Sequence, residues 1–195
     1  MRAVLVVANP DSGSFTHAIA RRAEQGLRAA GHETIVRDLY AEGFAAAMSP
    51  AERTAYHSPE PVLSEQVAEH IELVRSAEAL VFVYPTWWSG LPAILKGWLD
   101  RVMVPEVAFG FNDKGKVGPK LTGVRHLVGI STYGAPWWTV KTVNDNGRRV
   151  LMRTLRLSTG WGTHRHWLGL YRVEASDQAA REAFLDRVER ELAKL

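Results

Sequence analysis

The sequence predicts an α/β protein, a five-stranded parallel sheet with helices on both faces, and three observations carry that expectation. Short continuous apolar runs such as "RAVLVVA" at 2–8 and "EALVFVYP" at 78–85 have the length and valine content of strands buried on both faces. Segments with apolar residues at helical spacing lie between them, and strands alternating with helices imply right-handed crossovers into a parallel sheet. The composition, 46% hydrophobic and 23% charged over 195 residues, suits one folded domain rather than a disordered chain. At this length folding buries about 70% of the unfolded chain's surface, enough for a core without covalent staples.

The first strand, 2–8, runs into the turn "NPDSGSFT". Residues 16–30 keep apolar and small side chains at helical spacing, and Gly31 ends that helix. "ETIVRDL", 33–39, alternates and so belongs nearer an edge. The stretch 40–61 has no strong period and holds Pro50, Pro59 and Pro61, which marks a long loop with room for one helical turn. Residues 62–76 read as a helix and 78–85 as the third strand. In 92–102 Pro92 takes the first helical position, and Leu95, Trp98, Leu99 and Val102 follow at i, i+3, i+4 and i+7. Gly110, Gly115, Gly118 and Pro119 make 106–120 a hairpin or loop excursion. "VRHLVGIST", 124–132, is the fourth strand, and a loop with Trp137 and Trp138 precedes a helix near 143–157. "HRHWLGLYRV", 164–173, is the fifth strand, and a helix over 177–194 keeps Ala180, Phe184, Val188 and Leu192 on one stripe. Residues 1–195 read as a single domain, and five strands so arranged suit the doubly wound 2-1-3-4-5 order of flavodoxin-like folds.

Composition and motifs narrow the function classes. The absence of cysteine excludes disulfides, thiolate metal sites and cysteine nucleophiles, and fits a reducing, cytoplasmic setting. The opening apolar run lacks the length and flanks of a signal peptide, and no stretch approaches a membrane span. The net charge of +3, from 24 basic and 21 acidic residues, is mostly interleaved, unlike the stripe of a nucleic-acid binder. The one local basic cluster is "NDKGKVGPK", 112–120, read as a solvated hairpin with a smaller part in attracting nucleotide phosphates. His164 and His166 share a strand face without a third ligand, so no metal is expected. "TGWGTHR" at 159–165 has Arg165 where a dinucleotide fingerprint needs a third glycine, and the first loop has no Walker Gly-Lys-Ser/Thr ending. "GISTYG" lacks the spacing of a hydrolase elbow.

In doubly wound sheets ligands bind at the carboxyl ends of the strands, where the winding reverses between strands 1 and 3. Three loops meet there, 9–16, 85–91 and 131–139, and two of them carry tryptophan pairs. The first offers the hydroxyls of Ser12, Ser14 and Thr16, close backbone approach at Gly13, and the unpaired N–H groups of a helix N-terminus, an arrangement suited to a phosphate. Trp87 and Trp88 either staple their turn onto the protein or cover a flat apolar ligand. A phosphate site beside aromatic loops describes a flavin nucleotide. Backbone N–H groups of "PTWWSG" and "TYGAP" would face the polar edge of its ring and the negative charge that develops there on reduction.

"YPTWWSGLPAILKGWLDRV", 84–102, closely resembles the signature of the flavodoxin-like NAD(P)H:quinone oxidoreductases, where an aromatic-Pro-x-x-Trp turn leads into Gly-x-Pro-Ala-Ile-Leu-Lys-Gly-Trp. "SFTHAIA" and "STYG" match that family in place and order. The resemblance implies a homodimeric flavoprotein oxidoreductase with a ping-pong cycle. NAD(P)H reduces the flavin by hydride transfer and leaves, and a small quinone-like acceptor then takes the electrons in the same pocket. Flavin contacts map onto Asn9, Ser14, Phe15 and Thr16, onto Pro85, Thr86, Trp87 and Trp88, and onto Ser131, Thr132, Tyr133 and Gly134. Tyr133 and Gly134 are the catalytic candidates. The tyrosine and histidine that follow this turn in mammalian-type members are missing from "APWWTVKTVNDN", which leaves Tyr133, Lys141 or water as partner of the reduced flavin. FAD is favoured slightly over FMN because the helix motif is closest to the FAD-using branch. The rival reading is a flavin-binding regulatory subunit of a potassium-efflux system. A one-electron carrier is disfavoured, since carriers are usually strongly acidic.

Overall fold

The computed structural model describes residues 1–58, 63–111 and 115–195. β1 (Arg2–Val7) is followed by α1 (Phe15–Ala29) and β2 (Glu33–Asp38). A long connection holding the short α2 (Pro50–Thr54) leads to α3 (Glu65–Ser76), β3 (Ala79–Pro85) and α4 (Ala93–Val102). A hairpin of β4 (Phe109–Phe111) and β5 (Val117–Pro119) precedes β6 (His126–Tyr133). The next crossover contains α5 (Trp137–Thr142), α6 (Asn146–Arg149), a π-helical turn (Val150–Thr154) and α7 (Arg156–Thr159). β7 (His164–Tyr171) and α8 (Gln178–Leu192) complete the order.

Every pairing in the main sheet is parallel and its order is β2-β1-β3-β6-β7, which is the expected 2-1-3-4-5 winding once the separate hairpin is set aside. Successive side chains of a strand face opposite ways, so the buried strands supply two cores. Leu80, Phe82 and Tyr84 of β3 pack with Val67 and Ile71 of α3 and with Leu95 and Trp98 of α4. Val81 and Val83 pack on the other face with Ile19 and Leu27 of α1 and with Phe184 and Val188 of α8. β2 is an edge strand as expected, but its burial does not alternate: none of its residues is fully buried, and Glu33 and Val36 are exposed.

Two contacts fix α4 against the 40–58 connection. Gly97 lies so close to it that a Cβ would stand 2.2 Å from the Ala46 carbonyl oxygen. The buried Arg101 guanidinium donates to Glu52 Oε1 from Nε at 2.9 Å and from Nη2 at 2.6 Å, and also to the Ala45 carbonyl. Glu52 is itself the third residue of a capping box with Ser49, so one carboxylate closes α2 and ties it to α4.

Several boundaries depart from the sequence expectation. Pro92 is the N-cap of α4, not its first helical residue, because its ψ of 145° is extended. Trp137 and Trp138 open α5 instead of lying in a loop, and the interruption falls after them, at Asn144 and Asp145. Ala180 is exposed, and the buried stripe of α8 is Phe184, Leu185, Val188 and Leu192. Pro59, Pro61 and Val62, and the start of the basic stretch at 112–114, lie outside the described residues.

Candidate functional site

The sheet register brings the three expected loops together. Tyr84 stands opposite Ser131 and Pro85 opposite Thr132, and the Thr86 N–H donates to the Thr132 carbonyl at 2.8 Å. The Ala8 N–H donates to Val83 O at 3.1 Å, which holds the first loop beside β3. Ser131 is buried with its hydroxyl 2.8 Å from that of Thr86, so this pair fastens two loops together instead of facing outward.

The first loop is pre-formed by its own side chains. Asn9 accepts the Asp11 N–H at 2.9 Å through Oδ1 and donates to Thr16 Oγ1 at 3.0 Å through Nδ2. Asp11 Oδ1 accepts the Gly13 N–H at 2.9 Å. Ser14 is the N-cap of α1, its hydroxyl lies 3.1 Å from His17 Nδ1, and His17 Nε2 lies 2.8 Å from Asp38 Oδ2. His17 is therefore a half-buried strut between loop and sheet, not the exposed helical residue its position suggests. The Phe15 and Thr16 N–H groups that open α1 have no intrahelical acceptor, whereas the His17 N–H donates to Ser14 O at 3.1 Å, and no acidic side chain occupies that turn. These groups and the helix dipole form an anion-facing end. The Phe15 ring turns away, to within 6.5 Å of Phe184 and 5.8 Å of the Arg181 guanidinium, so Phe15 offers its backbone to a ligand.

The tryptophan loop is a tight reversal. Trp87 and Gly90 exchange backbone hydrogen bonds, Gly90 N to Trp87 O at 2.9 Å and Trp87 N to Gly90 O at 3.3 Å. Between them Trp88 and Ser89 adopt φ of 45° and 57°. Both central residues are left-handed, as in a type I′ turn, where Asn-Gly is the unstrained choice. A tryptophan held there is strained, and it is also fully exposed at 101% relative accessibility, whereas Trp87 is at 42%. Neither indole is stapled into the core.

Behind this turn an apolar cavity of about 140 Å³ is lined by Thr86, Ser89, Tyr133, Gly134, Val140 and Asp145, among others. It is smaller than a pocket that encloses a drug-sized ligand, so a tricyclic ring at this address would lie across its mouth. Tyr133 is buried in its wall and donates its hydroxyl to Asp145 Oδ1 at 2.9 Å. Its ring stacks on Tyr171 at 4.7 Å between centroids. Burial first, and then the neighbouring Asp145, push the Tyr133 phenol far above its ordinary pKa, so it keeps its proton at neutral pH. Asp145 reaches this place through the left-handed backbone of Asn144 and Asp145, at φ of 77° and 44°. Gly134 follows β6 beside Glu174, whose carboxylate oxygens would stand 3.1 Å from a Cβ at that position.

Of the expected site residues, Asn9 and Ser14 lie on the first loop and Phe15 and Thr16 open α1; Pro85 ends β3 and Thr86 through Trp88 follow it; Ser131 through Tyr133 end β6 and Gly134 follows, all at one end of the sheet. Asp145 and Glu174 escaped the sequence reading. Asn144-Asp145-Asn146-Gly147 carries the turn signal that places Asp145, whereas nothing in the chain order ties Glu174 to Gly134. His126 meets His164 and His166 at 5.5 Å between ring centroids, yet among the described residues no cluster of three or more His, Cys, Asp or Glu is arranged to hold a metal ion. Nor is any described helix long and apolar enough to cross a membrane.

A doubly wound parallel sheet with a helix N-terminus and an apolar cleft at its switch point defines the class of flavodoxin-like α/β proteins. The family profile described as "Flavodoxin-like fold" matches residues 1–194, and the chain belongs to that family. It is 31% identical over 152 residues to NAD(P)H dehydrogenase [quinone] 1 of Rattus norvegicus, covering 69% of this chain and 54% of that one. The chain spans little more than half the length of such curated relatives, 58% for an uncharacterized NAD(P)H oxidoreductase of Haemophilus influenzae. The structure is similar to the NAD(P)H:quinone oxidoreductase from Methanothermobacter marburgensis, at a TM-score of 0.83 and 28% identity over 100% of this chain and 96% of the other.

Proposed function

We propose that the chain is a flavin-dependent NAD(P)H oxidoreductase that reduces quinone-like acceptors. The observation that carries this reading is the juxtaposition of the pre-formed anion-facing loop at Asn9–Thr16 with the apolar cavity under Thr86, Tyr133 and Gly134. The kinship with quinone reductases supports it. The donor set fits a flavin: helix-terminal amides for a phosphate, and an apolar floor for a ring. When bound, such a cofactor supplies hydride acceptance and donation, and the protein supplies position and electrostatics.

The Phe15 and Thr16 amides and the Ser14 hydroxyl would hold the phosphate, with Asn9 and the Thr16 hydroxyl keeping the loop in shape. Pro85, Thr86, Trp87 and Trp88 would line one side of a bound ring, and the exposed Trp88 would screen it from water. Ser131 and Thr132 fix the third loop, while Gly134 allows close backbone approach. Tyr133 keeps its phenol proton in a hydrogen bond to Asp145 Oδ1, and would serve a reduced flavin as a donor by turning that hydrogen bond toward it. Reductant and acceptor would use the same crevice in turn, a ping-pong cycle.

The helix motif that favours FAD serves packing: Gly97 abuts Ala46 and Trp98 is fully buried beside His70. The proposal is therefore for the flavin mononucleotide portion that FAD and FMN share. Residues 1–195 act as one domain, with 106–120 as its excursion. The exposed Trp137, Trp138, Leu157 and Trp161 support a homodimer, because such surface is costly to leave in water. The cysteine-free composition supports a cytoplasmic setting.

Anaerobic mixing of the flavin-loaded protein with NADH or NADPH tests the reading. Bleaching of the flavin band, followed by its return on addition of benzoquinone, is the expected result. A loaded protein that neither nucleotide bleaches would refute it.

A further inference from the structure

Lys141, Arg148, Arg149, Arg153 and Arg165 converge on a second cavity, of about 280 Å³, with Asp145 and Trp167 also in its wall. Among the described residues none of these five cations forms an ion pair. The single carboxylate present, Asp145, is buried and accepts the Tyr133 hydroxyl. Three of the five are nevertheless held. Arg148 lies 5.5 Å from the centre of the Trp167 ring and Lys141 lies 5.3 Å from that of Trp137, while Arg165 donates to Met152 O at 3.2 Å.

The concentration is visible in the sequence. Residues 141–165 hold six Lys and Arg against Asp145 alone, and the rest of the chain is net negative. The charge is thus not interleaved throughout, and the cluster that matters is not the one at 112–120. Five like charges around one cavity repel each other until an anion enters. The π-helical turn Val150–Thr154 supplies Arg153 to the wall, and such turns tend to occur at functional sites.

The anion's chemistry follows from the neighbour. Asp145 lines both this cavity and the apolar one beside Tyr133, so the two adjoin. A ligand reaching both has a ring-bearing end and a multiply phosphorylated end. We propose that the cationic cavity receives the phosphate-bearing end of the reduced pyridine nucleotide, and that a 2′-phosphate makes NADPH its preferred form over NADH. This rests on the reading of the adjoining crevice as a flavin oxidoreductase site. A phosphomonoester carries a charge of about −2 and is matched by arginine forks, whereas the bare ribose hydroxyl of NADH leaves those forks unanswered.

Two measurements test the inference. In steady state the flavin-loaded protein should show a KM for NADPH about tenfold or more below that for NADH. In the Arg149→Ser/Arg153→Ser variant that ratio should fall at least fivefold. Equal KM values for the two nucleotides, or a ratio unmoved by the substitutions, would overturn the proposal. Calorimetric titration with 2′,5′-adenosine diphosphate and 5′-adenosine monophosphate needs no turnover. The 2′-phosphorylated probe should bind more tightly, more weakly as salt rises, and lose its advantage in the variant; equal binding of the two probes overturns the proposal. Selective binding of that probe by a protein that takes up no flavin would sustain the anion site and sink the oxidoreductase reading, so the two failures are distinct. Both side chains are exposed, so the variant should unfold at the wild-type temperature, and a matched melting curve confirms that folding is intact.

Discussion

Trp88 and Ser89 hold a left-handed conformation that glycine adopts without strain. Trp88→Gly should therefore raise stability by about 0.5–1 kcal/mol in urea denaturation while weakening flavin binding about threefold to tenfold, the worth of one aromatic contact. A destabilised variant with unchanged flavin affinity would mean that the indole serves the fold. Tyr133→Phe keeps the ring but leaves Asp145 without its donor. It should cost about 1–3 kcal/mol of stability and lower kcat about a hundredfold with KM little changed, the scale of a lost proton donor. The tryptophan pair could be read from the sequence, because two large rings in a turn stand out whatever the backbone does. Asp145 could not, since its contact with Tyr133 depends on two consecutive left-handed residues and on the face that β6 turns toward them.

At the scale of elements, α4 shows how a motif can be specific and still serve architecture. Trp98 Nε1–H donates to His70 Nδ1 at 3.0 Å, which fixes the imidazole proton on Nε2, 2.9 Å from Glu42 Oε2. Burial pushes the His70 pKa down from 6.5 to about 4. The neutral form is favoured in the folded chain, so protonation of the unfolded chain draws the equilibrium toward unfolding below about pH 6.5. Stability should decline as pH falls from 6.5 toward 4, and His32, His126 and His166, all lowered chiefly by burial, act in the same direction. Urea midpoints at pH 7.5 and 5.5 measure this, and a His70→Gln chain should show a smaller difference. Arg101→Ala removes the partner of the nearly buried Glu52 and should cost about 3–5 kcal/mol by the same assay, because a buried carboxylate is left unpaired. The periodicity of α1, α3 and α4 marked those helices well. α5 was displaced because Trp137 and Trp138 lack an apolar period, and the left-handed break after them is written only in turn residues.

The whole molecule was the most legible. Valine-rich runs buried on both faces and the order of strands and helices suffice to set the 2-1-3-4-5 winding, and the winding sets where the loops meet. The run of cations over 141–165 is legible in the sequence, but the cavity is not, because it exists only once the 141–153 segment lies against β7 and gathers Arg165 to Lys141, Arg148, Arg149 and Arg153. Anion-facing loop and apolar cavity lie around the carboxyl ends of β1, β3 and β6, and the cationic cavity runs from Asp145 to Arg165, near the start of β7.

Titration of the flavin-free protein with FMN, followed by quenching of flavin fluorescence, tests the central claim most directly. Saturation at one flavin per chain with a Kd of about 1 μM or tighter, weakened by Trp88→Gly, is the result this structure predicts. A titration that shows no saturable binding would contradict it.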